Sequence, residues 1–142
     1  MKEAVNEVDF EERNEDIARI SQIVLASKVV NLLAYVLLLL FLSFYSGLFW
    51  YVISYSQILT EGIGSETFLE EFDLLEIDNV KRTISLMYFA FTTLSTVGLG
   101  DYHPISNLER VTCAFLMLFG VMITTFVIEQ YSKMVKEIRD FN

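Results

Sequence analysis

The chain has 142 residues, 54% of them hydrophobic, and its 19 acidic and 10 basic residues give a net charge of −9. This length predicts one domain, and acids segregated from long apolar runs are typical of a membrane protein with wet, acidic ends. The charge argues against nucleic acid as a partner and favours cations. One histidine and one cysteine make no metal site, and no nucleophile–base pair is evident, so neither a cofactor nor an enzyme is expected.

The first segment, residues 1–28, is polar and precedes the first apolar run. Ile17, Ile20, Val24 and Leu25 recur at helical spacing, which predicts an amphipathic helix along the cytosolic membrane surface. An ordinary solvated leader is the alternative. Basic residues in this segment are too sparse for a voltage-sensing helix, which would carry one at every third position.

Three uncharged runs follow. Residues 29–53 are long enough to cross a bilayer as an outer helix. Residues 111–128 also suffice, and flanking turns extend the predicted inner helix to residues 107–134, followed by a cytosolic tail at 135–142. The middle run, residues 83–100, is of spanning length but rich in Thr, Ser and Gly near its end.

The charges decide how the middle run is interpreted. The predicted external loop, residues 54–83, has two bases against seven acids, whereas bases flank the outer ends of the whole unit. Both termini then prefer the cytoplasm, which requires an even number of spans. The middle run should therefore enter and return on one side, covered by protein or a water-filled cavity. The seven acids either form a funnel for cations or a solvated face.

The stretch "TTLSTVGLGD", residues 92–101, carries the chemistry. A dehydrated alkali cation needs oxygen ligands, which backbone carbonyls supply when several strands surround an axis. Gly98 and Gly100 permit the partly left-handed backbone that this requires, and Thr96 adds a hydroxyl oxygen as the innermost ligand. Residues 84–95 would form a short helix whose negative end favours a cation. One chain supplies one strand, so the motif implies a tetramer. A glycine-containing turn in an unrelated membrane protein is the alternative.

The same residues resemble the pore domain of potassium channels, whose pattern Thr-x-x-Thr-Val-Gly-Tyr-Gly-Asp aligns with residues 93–101. Pro104 matches the usual proline after the filter, and Gly120 matches the family's hinge glycine. The sequence "SLMYFAFTTLSTVG", residues 85–98, is most similar to the pores of voltage-gated or cyclic-nucleotide-type channels. The stretch "GLGDY" resembles the second filter of two-pore-domain potassium channels. The resemblance covers residues 29–134. It implies an all-α membrane protein in which two transmembrane helices flank a re-entrant pore helix and a selectivity filter, assembled as a tetramer.

The resemblance also assigns roles to single residues. The filter comprises Thr96, Val97, Gly98, Leu99 and Gly100, with K⁺ bound at the first four. Asp101 and His103 lie at the outer mouth, where His103 either gives sensitivity to external pH or is a plain turn residue.

Leu99 is the main departure, because tyrosine is usual there. The tyrosine normally packs and hydrogen-bonds against aromatic residues of neighbouring pore helices, whose positions Tyr88 and Phe89 occupy here. Thr92 stands where some members carry a buried glutamate that bonds to the filter aspartate. These three residues are the predicted filter support, and the changes predict a filter that is less tightly braced.

The predicted inner helix carries the remaining candidates. Gly120 is either a bending point for gating or a small residue for close helix packing. Thr124 and Thr125 are candidates to face the cavity. Glu129 either forms an acidic ring at the inner mouth or is an interfacial acid paired with Lys133.

Together these features predict a potassium-selective channel subunit that is integral to the bilayer, multi-pass and located in the plasma membrane. It would assemble as a homotetramer or with related subunits, either as an autonomous two-span channel or as the pore of a larger one. The alternatives are a non-conducting modulatory subunit and a weakly selective cation channel.

Overall fold

The computed structural model describes residues 2–62 and 64–141, with side chains for 13–62, 64–137 and 139–140. Within these residues all regular secondary structure is helical, and no strand occurs. The helices are α1 (Lys2–Glu61), α2 (Phe68–Glu71), α3 (Asn79–Leu94) and α4 (Asn107–Phe141). Two stretches are long and apolar enough to cross a membrane, Arg13–Glu61 and Asn107–Glu137. The predicted all-α class with two apolar spanning helices is confirmed.

Helix α1 differs in extent from the two segments that the sequence indicates. It runs without a break from Lys2 to Glu61, whereas the sequence analysis separates a surface helix from an outer helix at residue 28. No proline or glycine occurs in residues 1–46, so no local signal ends the helix there. The helix ends where Gly62 adopts a φ of 95° and donates its N–H to the Ile58 carbonyl at 2.9 Å.

The chain divides into two compact units, which we describe separately. The large unit is Leu37–Ile128, and the small unit comprises Met1–Val36 with Glu129–Asn142. In the small unit, Lys28 of α1 forms an ion pair with Glu137 of α4. Lys133 pairs with Glu129 one turn away at 2.8 Å.

An aromatic and aliphatic core joins all four helices of the large unit. The Trp50 ring lies 4.9 Å from Phe89 and 5.7 Å from Phe68, measured between centroids. Such pairs add to the free energy of burying their large apolar surface. The core members are Trp50, Ile58, Phe68, Leu69, Leu74, Leu86, Phe89 and Cys113.

Helix α3 is held closely between the two long helices. A β-carbon at Gly47 of α1 would lie 3.0 Å from the Leu86 carbonyl, and one at Gly120 of α4 would lie 2.7 Å from the Leu94 oxygen. Small residues allow this approach of backbones. With 16 residues, α3 is about 24 Å long, shorter than the hydrocarbon core of about 30 Å. It is too short to cross a bilayer alone.

The start of α3 is fixed by capping. Asp78 accepts a hydrogen bond from the Val80 N–H at 3.2 Å, and the Arg82 guanidinium donates to three carbonyls of the preceding turn. The helix therefore begins at Asn79, five residues before the predicted start at residue 84.

Apolar side chains point outward from both long helices of the large unit. Leu37, Phe41, Phe115 and Leu118 are each between 58% and 68% exposed. A surface of this kind requires lipid or another protein to cover it.

Candidate functional site

The predicted filter, residues 96–100, follows directly after the end of α3 at Leu94. Its backbone has a positive φ at every second residue: 62° at Thr96, 54° at Gly98 and 80° at Gly100. Glycine adopts this conformation readily, whereas a left-handed non-glycine residue costs about 1–3 kcal/mol. The glycines therefore stand where the alternation needs them, and the strained residue is Thr96, the first residue of the predicted filter.

All four carbonyls that end α3 have partners, although a helix C-terminus normally leaves them without intrahelical bonds. Three accept backbone N–H groups from the residues that follow, and the fourth accepts a hydroxyl of α4. The bonds are Ser95 to Phe91 at 2.9 Å, Gly98 to Thr92 at 2.9 Å, Thr96 to Thr93 at 3.2 Å and Thr124 to Leu94 at 2.9 Å. The predicted filter is thus attached to α3 by its own backbone.

Thr92 supports the predicted filter through its main chain. Its side chain is buried, and the hydroxyl donates to the Phe89 carbonyl at 3.0 Å. Its carbonyl accepts the Gly98 N–H. A glutamate at this position in some potassium channels would instead reach the filter aspartate, so the brace here is of a different kind.

The two predicted aromatic supports lie in different places. Phe89 is buried in the core, whereas Tyr88 is directed toward Asp101. The Asp101 carboxylate raises the pKa of Tyr88 above its ordinary value, chiefly through a side-chain hydrogen bond. Leu99 is 64% exposed. Within one chain, the structure therefore brings Tyr88 close to Asp101 and leaves most of the Leu99 side chain exposed.

The predicted external loop packs on the residues after the predicted filter. Tyr102 lies 4.9 Å from Phe72 and 5.9 Å from Phe68, and the exposed His103 ring stands edge-on to Phe72 at 5.4 Å. Asp101 is exposed beside them. The sequence analysis missed this aromatic brace, although aromatic residues on both sides of the predicted filter were a usable signal.

Glu109, in the first turn of α4, is fully buried and was also missed. One carboxylate oxygen accepts the Phe68 N–H at 2.9 Å, and the other accepts the Ile105 and Ser106 N–H groups at 3.0 and 3.1 Å. The Ser106 hydroxyl accepts the Glu109 N–H in return. This reciprocal arrangement is a capping box, which the Ser-x-x-Glu spacing indicates. Glu109 thereby fastens α2 to the start of α4.

Replacing Glu109 by alanine is expected to destabilise the packing of α2 on the start of α4. Three backbone N–H groups would lose their acceptor, and each buried unsatisfied group costs about 1–3 kcal/mol. We expect the thermal unfolding midpoint of the purified protein in detergent to fall by about 5 °C or more, with a smaller loss for Glu109→Gln. Glu66→Ala removes an exposed acid from the segment just before α2 and is the matched control. Equal midpoints for Glu109→Ala and Glu66→Ala would contradict the fastening role.

The candidates on α4 fall into both units. In the large unit, Gly120 is buried against Leu94, which is the close approach that its packing interpretation requires. Thr124 donates a hydrogen bond to the Leu94 carbonyl, whereas Thr125 is exposed. In the small unit, Glu129 is exposed and forms the ion pair expected of an interfacial acid.

Comparisons with known proteins point to ion channels. A family model described as an ion channel matches residues 63–137, more than half of the chain. Potassium channel AKT1 of Arabidopsis thaliana is 39% identical over 54 residues, 38% of this chain and 6% of that protein. Potassium channel KAT3 of the same plant is 31% identical over 86 residues, 57% of this chain and 12% of that protein. Potassium channel KOR1 of Oryza sativa subsp. japonica is 34% identical over 53 residues, with shares of 37% and 6%.

The chain thus spans only about 6–12% of the length of these relatives. No solved structure matches it. The matching family is one of channels and not of enzymes. An ion channel requires membrane-spanning helices, and the structure has two apolar helices of sufficient length, so the protein is a membrane protein. The chain belongs to the ion channel family whose model matches residues 63–137.

Proposed function

We propose that this chain is a pore subunit of a potassium-selective channel. In the proposed pore, carbonyl oxygens of Thr96, Val97, Gly98 and Leu99 replace the hydration shell of K⁺, and the Thr96 hydroxyl adds the innermost ligand. The observation that carries the proposal is the alternation of positive φ along residues 96–100, at the end of a helix too short to span. The similar plant proteins are potassium channels by name, which supports K⁺ as the ion.

In this proposal α3 is a re-entrant pore helix. Its length of 16 residues, its contacts with both long helices and the hydrogen bonds that its C-terminal carbonyls accept from Thr96 and Gly98 support this. The helix would enter and leave on the external side, with both termini of the chain in the cytoplasm as the loop charges favour. The C-terminal end of the pore helix would direct its negative dipole at the ion.

A complete ligand cage requires four chains. One chain contributes a single strand of carbonyls, and a closed ring around K⁺ needs rotational symmetry. The large exposed fractions of Val97 and Leu99, 62% and 64%, support the proposal because neighbouring subunits would cover these side chains. Asp101 would then form an acidic ring at the outer mouth and attract cations.

Ion uptake by liposomes tests the proposed function. We expect the purified chain, reconstituted without other proteins, to mediate Rb⁺ uptake that external or internal Ba²⁺ blocks, because Ba²⁺ competes for the same oxygen ligands. Protein-free liposomes are the control. Purified chain that is tetrameric yet gives no uptake would contradict an autonomous channel and would favour a modulatory subunit.

Leu99→Tyr is expected to strengthen the filter. A tyrosine hydroxyl would gain aromatic partners on neighbouring pore helices, so we expect a higher K⁺ over Na⁺ permeability ratio and slower inactivation than in wild type. Bi-ionic reversal potentials and current decay measure both effects. Leu108→Tyr, the same change at an exposed position of α4, is the control. Identical selectivity and gating in wild type and Leu99→Tyr would refute a weakly braced filter.

A further inference from the structure

Leu94, the last residue of α3 and two residues before the predicted filter, contacts α4. The Leu94 carbonyl accepts the Thr124 hydroxyl at 2.9 Å, a bond between residues 30 positions apart. Gly120 lies one turn earlier, where an added β-carbon would be 2.7 Å from the Leu94 oxygen and 2.8 Å from its α-carbon. Residues four apart share a helix face, so Gly120 and Thr124 form one notch that receives Leu94. We call it the Gly120–Thr124 notch.

The hydroxyl in this notch has no substitute. Among the described residues, the Leu94 carbonyl has no other hydrogen-bond partner, because the N–H groups of Ser95, Thr96 and Gly98 bond to the three preceding carbonyls. The buried Thr92 and Thr93 hydroxyls both donate to the Phe89 carbonyl. Thr124 of α4 thus holds the last carbonyl of α3 through its side chain.

The notch lies next to the strained part of the backbone. Thr96, two residues beyond Leu94, has a φ of 62°. A threonine with a positive φ keeps this conformation only where several surrounding contacts hold it there. The hydrogen bond from the Ser95 N–H to the Phe91 carbonyl holds this turn on one side. The notch holds the Leu94 carbonyl, which lies between Phe91 and Thr96 in the chain. If Leu94 were released, the turn could relax and the Thr96 oxygens would move.

We propose that the Gly120–Thr124 notch fixes the inner end of the filter, which makes Thr124 a positioning residue for ion selectivity. This inference rests on the proposed function for its effect on selectivity, but its structural part does not need conduction. Thr124 is assigned no contact with the ion; it acts through the Leu94 carbonyl and the strained Thr96.

Three substitutions separate the hydroxyl from the shape of the side chain. Thr124→Val keeps the volume and removes the donor, Thr124→Ser keeps the donor, and Thr125→Val makes the same change at the exposed neighbour. Amide hydrogen exchange of the purified full chain measures the bonds of Ser95, Thr96 and Gly98 whether or not ions flow. We expect roughly fivefold faster exchange of these amides in Thr124→Val, the factor for one lost hydrogen bond. Thr124→Ser and Thr125→Val should exchange like wild type.

Reversal potentials of the same proteins provide the second readout. We expect a lower K⁺ over Na⁺ permeability ratio in Thr124→Val and a wild-type ratio in Thr124→Ser. Unchanged exchange in Thr124→Val, or equal acceleration in Thr125→Val, would overturn the inference. If Thr124→Val exchanges faster while the wild-type protein conducts no ions, the proposed function would be refuted but the structural role of the Gly120–Thr124 notch would remain.

Discussion

Replacing Gly98 by alanine is expected to abolish Rb⁺ uptake while the protein still assembles. Gly98 has a φ of 54°, and no atom lies within 4 Å of the position that a β-carbon would occupy. Alanine would therefore meet no clash, but its positive φ would cost about 1–2 kcal/mol for each chain. In the proposed tetramer this cost is about four times as large. Relaxation of φ would rotate the adjoining carbonyls away from the ion.

Gly64→Ala is the matched control for this variant. Gly64 also has a positive φ, 97°, and open space around it, but it lies between α1 and α2, far in sequence from the predicted filter. Gly98 lies in the narrow left-handed region open to alanine, whereas the φ of Gly64 lies outside it, so the control carries at least as large a backbone cost. Only Gly98→Ala alters the proposed ligands. We expect uptake close to wild type in Gly64→Ala. Wild-type uptake in Gly98→Ala would show that residues 96–100 do not coordinate the ion.

Replacing Gly120 by alanine is expected to lower stability, against the preference of helices for alanine. By propensity alone, alanine would stabilise α4 by about 1 kcal/mol. The added carbon would lie 2.7 Å from the Leu94 oxygen and 2.8 Å from its α-carbon, both rigid backbone atoms. Overpacking of this kind costs about 1–3 kcal/mol and would push α3 and the filter away from α4. We expect a lower thermal unfolding midpoint together with reduced Rb⁺ uptake.

Gly47→Ala provides the comparison for the opposite side of α3. Its β-carbon would lie 3.0 Å from the Leu86 carbonyl, a milder overlap and far from the filter, so its loss of stability should be smaller. The bending interpretation of Gly120 predicts a different result. An unchanged or higher unfolding midpoint in Gly120→Ala, with altered gating alone, would contradict the packing role.

The spanning helices and the motif were predictable because each has a local signal. Apolar runs without charge mark the two long helices, and the spacing of Gly98 and Gly100 marks a backbone that needs positive φ. The continuity of α1 was less apparent. A change from polar to apolar composition near residue 28 suggested a boundary, but a helix ends at a breaker, and the first pair of breakers is at Gly62 and Gly64.

The contacts that brace the site were largely hidden from the sequence. The bond from Thr124 to Leu94 joins residues 30 apart, and the bond from Glu109 to Phe68 joins residues 41 apart. No periodicity reports such pairs, because they depend on how helices pack. Glu109 was partly accessible through its capping spacing with Ser106. Gly47 also offered a signal, since a glycine in a leucine-rich helix indicates close packing.

The reversal potential of the purified wild-type chain in a planar bilayer, with K⁺ on one side and Na⁺ on the other, tests the central claim most directly. Carbonyl ligands along residues 96–99 should replace the water shell of K⁺ and select it over Na⁺. The account predicts currents that reverse far from zero, toward the potassium equilibrium potential, and that Gly98→Ala abolishes. Reversal at zero with equal K⁺ and Na⁺ concentrations would contradict it.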